Sequence, residues 1–173
     1  QEWWALGVRS VCTPLYGRSA AAHDAIVGVV GHFDRVVEGL DRAVSLGINV
    51  FVHTLAMRRT LEEVPAMGAW VRERWGRPLA LAPMRPKEEL YAYALESPQF
   101  DAIREVLTED VALVGFPRCV GPSGDAALLT RLYFKSQRRD FAPPCMDCAV
   151  RVDCEGVVVG HLAHFGSRGL SPS

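Results

Sequence analysis

No apolar run in the 173-residue chain approaches the roughly 20 residues that a membrane-spanning helix needs. Residues 27–30 and 157–159 are far too short. Charge of one sign is missing too. Lys and Arg number 19, Asp and Glu 20, and the net charge is -1 at pH 7. That balance removes the bulk electrostatic argument for binding nucleic acid or an anionic membrane. There is no G-x4-G-K-[ST] and no G-x-G-x-x-G, so nothing supports a phosphate-binding loop. Internal repeats, low-complexity segments and an export signal are also lacking, which leads us to expect a cytoplasmic protein. What remains is 49% hydrophobic and 23% charged, the profile of a globular chain with a substantial core. Only the tail, residues 166–173, is poor enough in apolar side chains to suggest fraying.

Cysteine is scarce, and its distribution is uneven. Four of the five residues fall in the last third, spaced C-x25-C-x2-C-x5-C: Cys119, Cys145, Cys148 and Cys154. Thiolates are soft ligands, and four of them complete the shell of a zinc ion or an iron–sulfur cluster. A C-x2-C turn aims two sulfurs at one site, Cys154 is close enough to supply a third, and Cys119 would reach across from an earlier element. Glu155-Gly156 follows at once, and glycine permits close backbone approach. Three alternatives stand beside an iron–sulfur site: ordinary buried thiols; a disulfide, which needs an oxidising compartment; and a closed zinc shell of Cys145, Cys148 and Cys154 with His161, His164 or Cys119.

Upstream, the pattern alternates. Residues 1–6 read as the end of a helix stopped by Gly7. Residues 8–15 read as a buried strand, and Ser19 caps a helical turn over 20–24. Gly28 and Gly31 bracket a loop, and Phe33, Val36, Val37, Leu40 and Val44 mark an amphipathic helix over 33–46 ended by Gly47. A strand over 48–55 follows, then a capping box of Thr60 with Glu63 and a helix over 61–75. Further elements are a strand over 78–82, helices over 87–95 and 98–107, and a strand over 111–114. This β-α-β-α-β order predicts a parallel sheet with helices outside, and function at the C-terminal ends of the strands. That rim would hold residues 13–17 and 53–60 with Met84 and Arg85, where Arg58, Arg59 and Arg85 either meet an anion or are simply solvated. His23-Asp24 reads as fixing a turn through backbone hydrogen bonds. Its alternative is a catalytic pair in an unrelated α/β enzyme, with His53 as a base at the rim. Cys12 and the four tryptophans read as packing residues, His32 as the start of a helix, and Arg138-Arg139 most simply as a solvated face, though it lies close to the C-terminal cysteines and could meet an acidic partner.

The order of several of these segments resembles the radical S-adenosylmethionine (SAM) enzymes. The residues that carry the resemblance are Pro14-Leu15-Tyr16-Gly17, Ala22-His23-Asp24, Val27-Gly28, Gly31-His32-Phe33 and Leu46-Gly47-Ile48-Asn49-Val50, followed by the Arg58-Arg59-Thr60-Leu61-Glu62-Glu63-Val64-Pro65 step. The tail Cys145-x2-Cys148-x5-Cys154-Glu155-Gly156, with Phe165-Gly166 and Leu170-x-Pro172, resembles the SPASM or twitch extensions of such enzymes. The resemblance implies an α/β fold: the C-terminal part of a (β/α)6 partial TIM-type barrel over 1–112, and a small auxiliary [4Fe–4S] module over 113–173 held by Cys119, Cys145, Cys148 and Cys154. It implies SAM contacts at Thr13, Thr54 and Thr60, although Pro14 and Tyr16 replace the family's Ser and Asp, and Thr60 its Asn. In the family a Cys-x3-Cys-x2-Cys loop holds the cluster that cleaves SAM to a 5′-deoxyadenosyl radical. This chain has no such motif. The expectation is therefore a fragment or a split protein, inactive alone, whose first cluster belongs to an upstream segment or subunit. By analogy the substrate is a peptide or a small metabolite.

Overall fold

In the computed structural model, which describes residues 2–84, 94–121 and 138–172, the chain begins with a short helix α1 (Glu2–Ala5) and strand β1 (Ser10–Pro14). Then come α2 (Ala20–Val27), α3 (His32–Ser45), β2 (Asn49–Ala56), a 3-10 turn (Leu61–Glu63), α4 (Val64–Trp75), β3 (Leu79–Pro83), α5 (Phe100–Glu105) and β4 (Val111–Leu113). The cysteine-rich end adds β5 (Arg139–Asp140), β6 (Val157–Val158) and α6 (Val159–Phe165). Strands β1 to β4 make a parallel sheet in sequence order, flanked by helices, and β5 pairs with β6 in antiparallel fashion. The fold is thus α/β. Arg85, and residues 87–93 of the helix expected over 87–95, lie outside the described residues. Among the described residues no helix is long and apolar enough to cross a membrane.

The chain divides into two compact units. Residues 1–54, 63–80 and 108–111 form one, and 55–62, 81–107 and 112–173 the other. In the first, Ser19 caps α2 by accepting a hydrogen bond from the Ala22 N–H, and Gly28 ends it at φ 77°. The Asp24 carboxylate then accepts from the N–H groups of Gly31 (2.6 Å) and Phe33 (2.8 Å). It satisfies donors that α3 leaves unpaired and places a negative charge at that helix's N-terminus. Phe33, Leu40 and Ala43 line the inner face of α3. Val50, Val52 and Thr54 alternate into the core along β2. Each Val, Leu or Phe among them contributes about 1.5–3 kcal/mol when fully buried. Asp41 ties α3 to α4, accepting from Arg74 Nε and Trp75 Nε1, both at 2.9 Å.

In the second unit, α5 buries Phe100 and Ile103, and Phe116, Val120, Val157, Val158 and Phe165 complete the apolar interior. Three expectations need correction. The Thr60–Glu63 capping box does not form: Thr60 Oγ1 donates to the Met57 carbonyl at 3.3 Å, and Glu63 makes no side-chain cap. A 3-10 turn intervenes, so the helix starts later, with Pro65 filling a position whose N–H needs no partner. Trp3 and Trp4 are not packed away but 63% and 42% exposed. The tail is tied down: the Gly169 carbonyl accepts from Arg104, and Pro172 lines the cavity described next.

Candidate metal centre

The cysteines reach one place through a succession of tight turns. Pro143 and Pro144 start a 3-10 turn that ends at Cys145, whose N–H donates to the Ala142 carbonyl at 2.8 Å. The Cys148 N–H donates to the Cys145 carbonyl (3.3 Å), the Arg151 N–H to that of Cys148 (3.1 Å), and the Cys154 N–H to that of Arg151 (3.1 Å). Each step spans three residues, so the chain coils and returns its thiols to one side. Cys119 lies on a separate 3-10 turn, Arg118–Val120. All four cysteines line a single cavity with Pro117, Phe141, Val150, Arg151, Gly156, Val157 and Pro172. It holds about 320 Å3 of empty space, part of it open to solvent and little of it wider than a water molecule. Gly156 is required there. Its φ is 73°, and a Cβ would stand 2.8 Å from the Asp140 carbonyl oxygen. Its N–H points at Cys154 Sγ, 3.5 Å away.

Burial raises the pKa of the Cys145 thiol against the pull of its Ala142 hydrogen bond, and Cys119, Cys154 and Cys148 raise it further. Thiols that resist each other's ionisation are the arrangement in which a bound cationic centre is what favours the thiolates. Among the described residues no group of three or more His, Cys, Asp or Glu side chains is placed to hold a metal ion. The thiols therefore surround a space without converging on a point.

Two arginines hold the loops. Arg104 Nη2 donates to the carbonyls of Cys119 (2.9 Å) and Gly169. Arg139 Nη1 donates to those of Gly115 (2.9 Å) and Gly156 (3.3 Å), with Glu155 at 3.6 Å. Arg139 is therefore not on a solvated face. Its side chain is 14% exposed, and its Nη2 is buried without a hydrogen-bond partner among the described residues. Burial lowers the pKa of the guanidinium, while the negative charges of Glu155 and Cys154 oppose that. Its closeness to the cysteines was legible in the spacing; its burial was not, because an arginine pair before a loop reads as surface.

The other expected residues lie elsewhere. Thr13 lines a groove between β1 and α3, Thr54 is buried, and Thr60 has its hydroxyl on a local carbonyl. Arg59 is paired with Glu96 at 3.0 Å, and Arg58 donates to the Ser97 carbonyl at 3.0 Å. His23-Asp24 fixes the turn: the Tyr16 N–H donates to His23 Nδ1 at 3.1 Å, and Asp24 caps α3. With Nδ1 accepting, His23 Nε2 carries the proton and donates to His32 Nδ1 at 2.9 Å. This stacked histidine pair was not anticipated, since nothing in the sequence links residues 23 and 32. Cys12 Sγ lies 3.5 Å from His53 Nδ1, and burial pushes the thiol up to about 11, so it is a neutral thiol and no nucleophile. His161 lines a second small apolar cavity with Ala56, Pro83, Ser97 and Phe116. It stacks on Phe100 at 3.9 Å, and its buried Nε2 has no partner.

Scanned against protein-family models the chain matches none, and no curated protein matches it.

Proposed function

We propose that this chain is the auxiliary-cluster-bearing part of a radical SAM enzyme, with Cys119, Cys145, Cys148 and Cys154 as the ligands of a [4Fe–4S] cluster. The single observation that carries this reading is that four cysteines from two separate loops line one cavity. The alternative, a zinc ion, draws its sulfurs to about 2.3 Å from one point. A four-iron cluster is attached through a thiolate at each corner, so its ligands stand around a group. With four protein ligands no iron is open to substrate, so the cluster would pass electrons or fasten the tail.

The (β/α)6 partial barrel belongs to this proposal, and the four-stranded parallel sheet is compatible with it. SAM would be cleaved at a first cluster carried by another segment or subunit, because this chain has no Cys-x3-Cys-x2-Cys loop. Thr13, Thr54 and Thr60 are proposed as SAM contacts from the resemblance alone, and their surroundings add no support. A peptide or small metabolite is the substrate class by the same analogy.

The test is purification without oxygen, followed by an absorption spectrum and assay of iron, sulfide and zinc. The expected result is a broad band near ~400 nm with roughly four iron and four sulfide per chain. Replacing Cys145 and Cys148 together by serine should abolish it. About one zinc and no iron would sink the cluster and leave a structural tail on an α/β domain.

A further inference from the structure

Arg139 has two properties that rarely occur together: its side chain is mostly buried, and among the described residues one of its nitrogens has no hydrogen-bond partner. A charged group out of water is costly unless every donor is used. The bonds it does make show where it acts. Gly115 precedes the turn that carries Cys119, and Gly156 follows Cys154, so Nη1 holds both cysteine-bearing loops at their carbonyls. Among the described residues the one carboxylate in reach, Glu155, is half in solvent and 3.6 Å away, too long for a hydrogen bond.

We propose that Arg139 is the positioning and charge-balancing residue of the cysteine cavity, fastening the Cys119 and Cys154 loops and setting a fixed positive charge beside the anionic group that four thiolates and their metals would form. This deepens the cluster reading and rests on it for the charge, though not for the fastening of the loops. A cation beside a cluster favours the reduced, more negative state, so removing it lowers the reduction potential. The fastening is a matter of geometry. Lysine keeps the charge on a side chain one bond shorter, without the planar group that fixes Nη1 between the two carbonyls.

The experiment compares wild type, Arg139→Lys and Arg139→Met. Midpoint potential is measured on the loaded proteins by redox titration with electron paramagnetic resonance, alongside the rate of iron loss to a chelator. Hydrogen exchange is measured on the metal-free proteins over residues 115–121 and 153–158. Arg139→Met should show a more negative potential, several-fold faster iron loss and faster exchange in both segments. Arg139→Lys should keep the potential near that of wild type and share the other two effects. Exchange confined to the wild-type rate in both variants overturns the fastening role, and an unchanged potential in loaded Arg139→Met overturns the charge role. If Arg139→Met does not fold or load, Arg139→Lys decides: faster exchange and iron loss support the proposal, and wild-type rates overturn it. Wild type that takes up no iron and sulfide overturns the cluster reading and the charge role with it, whereas the exchange of the metal-free proteins still judges the loops on its own.

Discussion

A histidine held neutral in an apolar cavity makes folding sensitive to acid. His161 is 3% exposed and stacked on Phe100, and burial, with His164 adding, pulls its pKa from 6.5 to about 4. The unfolded chain takes up a proton near 6.5 and the folded chain only near 4, so between those values the unfolded state binds more protons. Stability contributed by the neutral ring is complete above 6.5 and lost as pH falls towards 4. One unit corresponds to about 1.4 kcal/mol, so the whole loss is about 3 kcal/mol. His161→Phe keeps a ring against Phe100 and removes the titration. Urea unfolding near pH 7 and near pH ~4.5 should show wild type losing about 2 kcal/mol more than the variant. Burial also lowers the pKa of His23, but both proteins carry it, so its effect cancels in the difference. Equal losses would mean that His161 is not held neutral.

Glycine shows how elements meet, and two glycines inside helices give opposite expectations. In a helix, alanine is normally favoured over glycine by about 1 kcal/mol. At Gly39 of α3 a Cβ meets nothing within 4 Å, so Gly39→Ala should stabilise by roughly 0.5–1 kcal/mol. At Gly68 of α4 a Cβ would stand 2.8 Å from Val111 Cγ2 and 3.0 Å from the Asp110 carbonyl oxygen. Overpacking of that kind costs about 1–3 kcal/mol, which outweighs the gain in propensity. Gly68→Ala should therefore lower the urea midpoint while Gly39→Ala raises it. A rise in both would mean that α4 can move away from the start of β4. The same elements show what was legible. Period and punctuation placed β1 to β4 and α2 to α4 within a few residues, because Gly28, Gly47 and Gly76 and the apolar stripe of α3 act locally. The cysteine spacing pointed to the cavity for the same reason, since three of the four thiols lie on adjoining turns. Burial of Arg139 and the His23–His32 pair were not legible, because each depends on groups brought together only by tertiary packing. The loss of the Thr60 cap is a local competition, since its hydroxyl takes the Met57 carbonyl three residues back. Strands β5 and β6 are two residues each, too short to leave a period.

At the scale of the whole molecule the open question is what the sheet leaves uncovered. Strand β1 stands at one end of the strand order, with β2 as its neighbour, so its other edge presents unpaired backbone groups among the described residues. Beside it lies a groove of about 610 Å3 lined by Trp3, Val11, Val36, Leu40, Leu46 and Ile48. Leu6 is 81% exposed. An edge strand next to an apolar groove is the combination that favours association, since strand pairing supplies hydrogen bonds and the groove supplies buried area. Sedimentation velocity across a wide concentration range should therefore show species larger than a monomer, growing with concentration. Trp3→Lys combined with Leu6→Lys places two like charges on that surface and should move the distribution towards monomer. Neither residue is among the buried core side chains, so the melting temperature should change little. A wild-type protein that stays monomeric throughout would show that the edge is protected in solution, and would count against a barrel that needs further strands to close it.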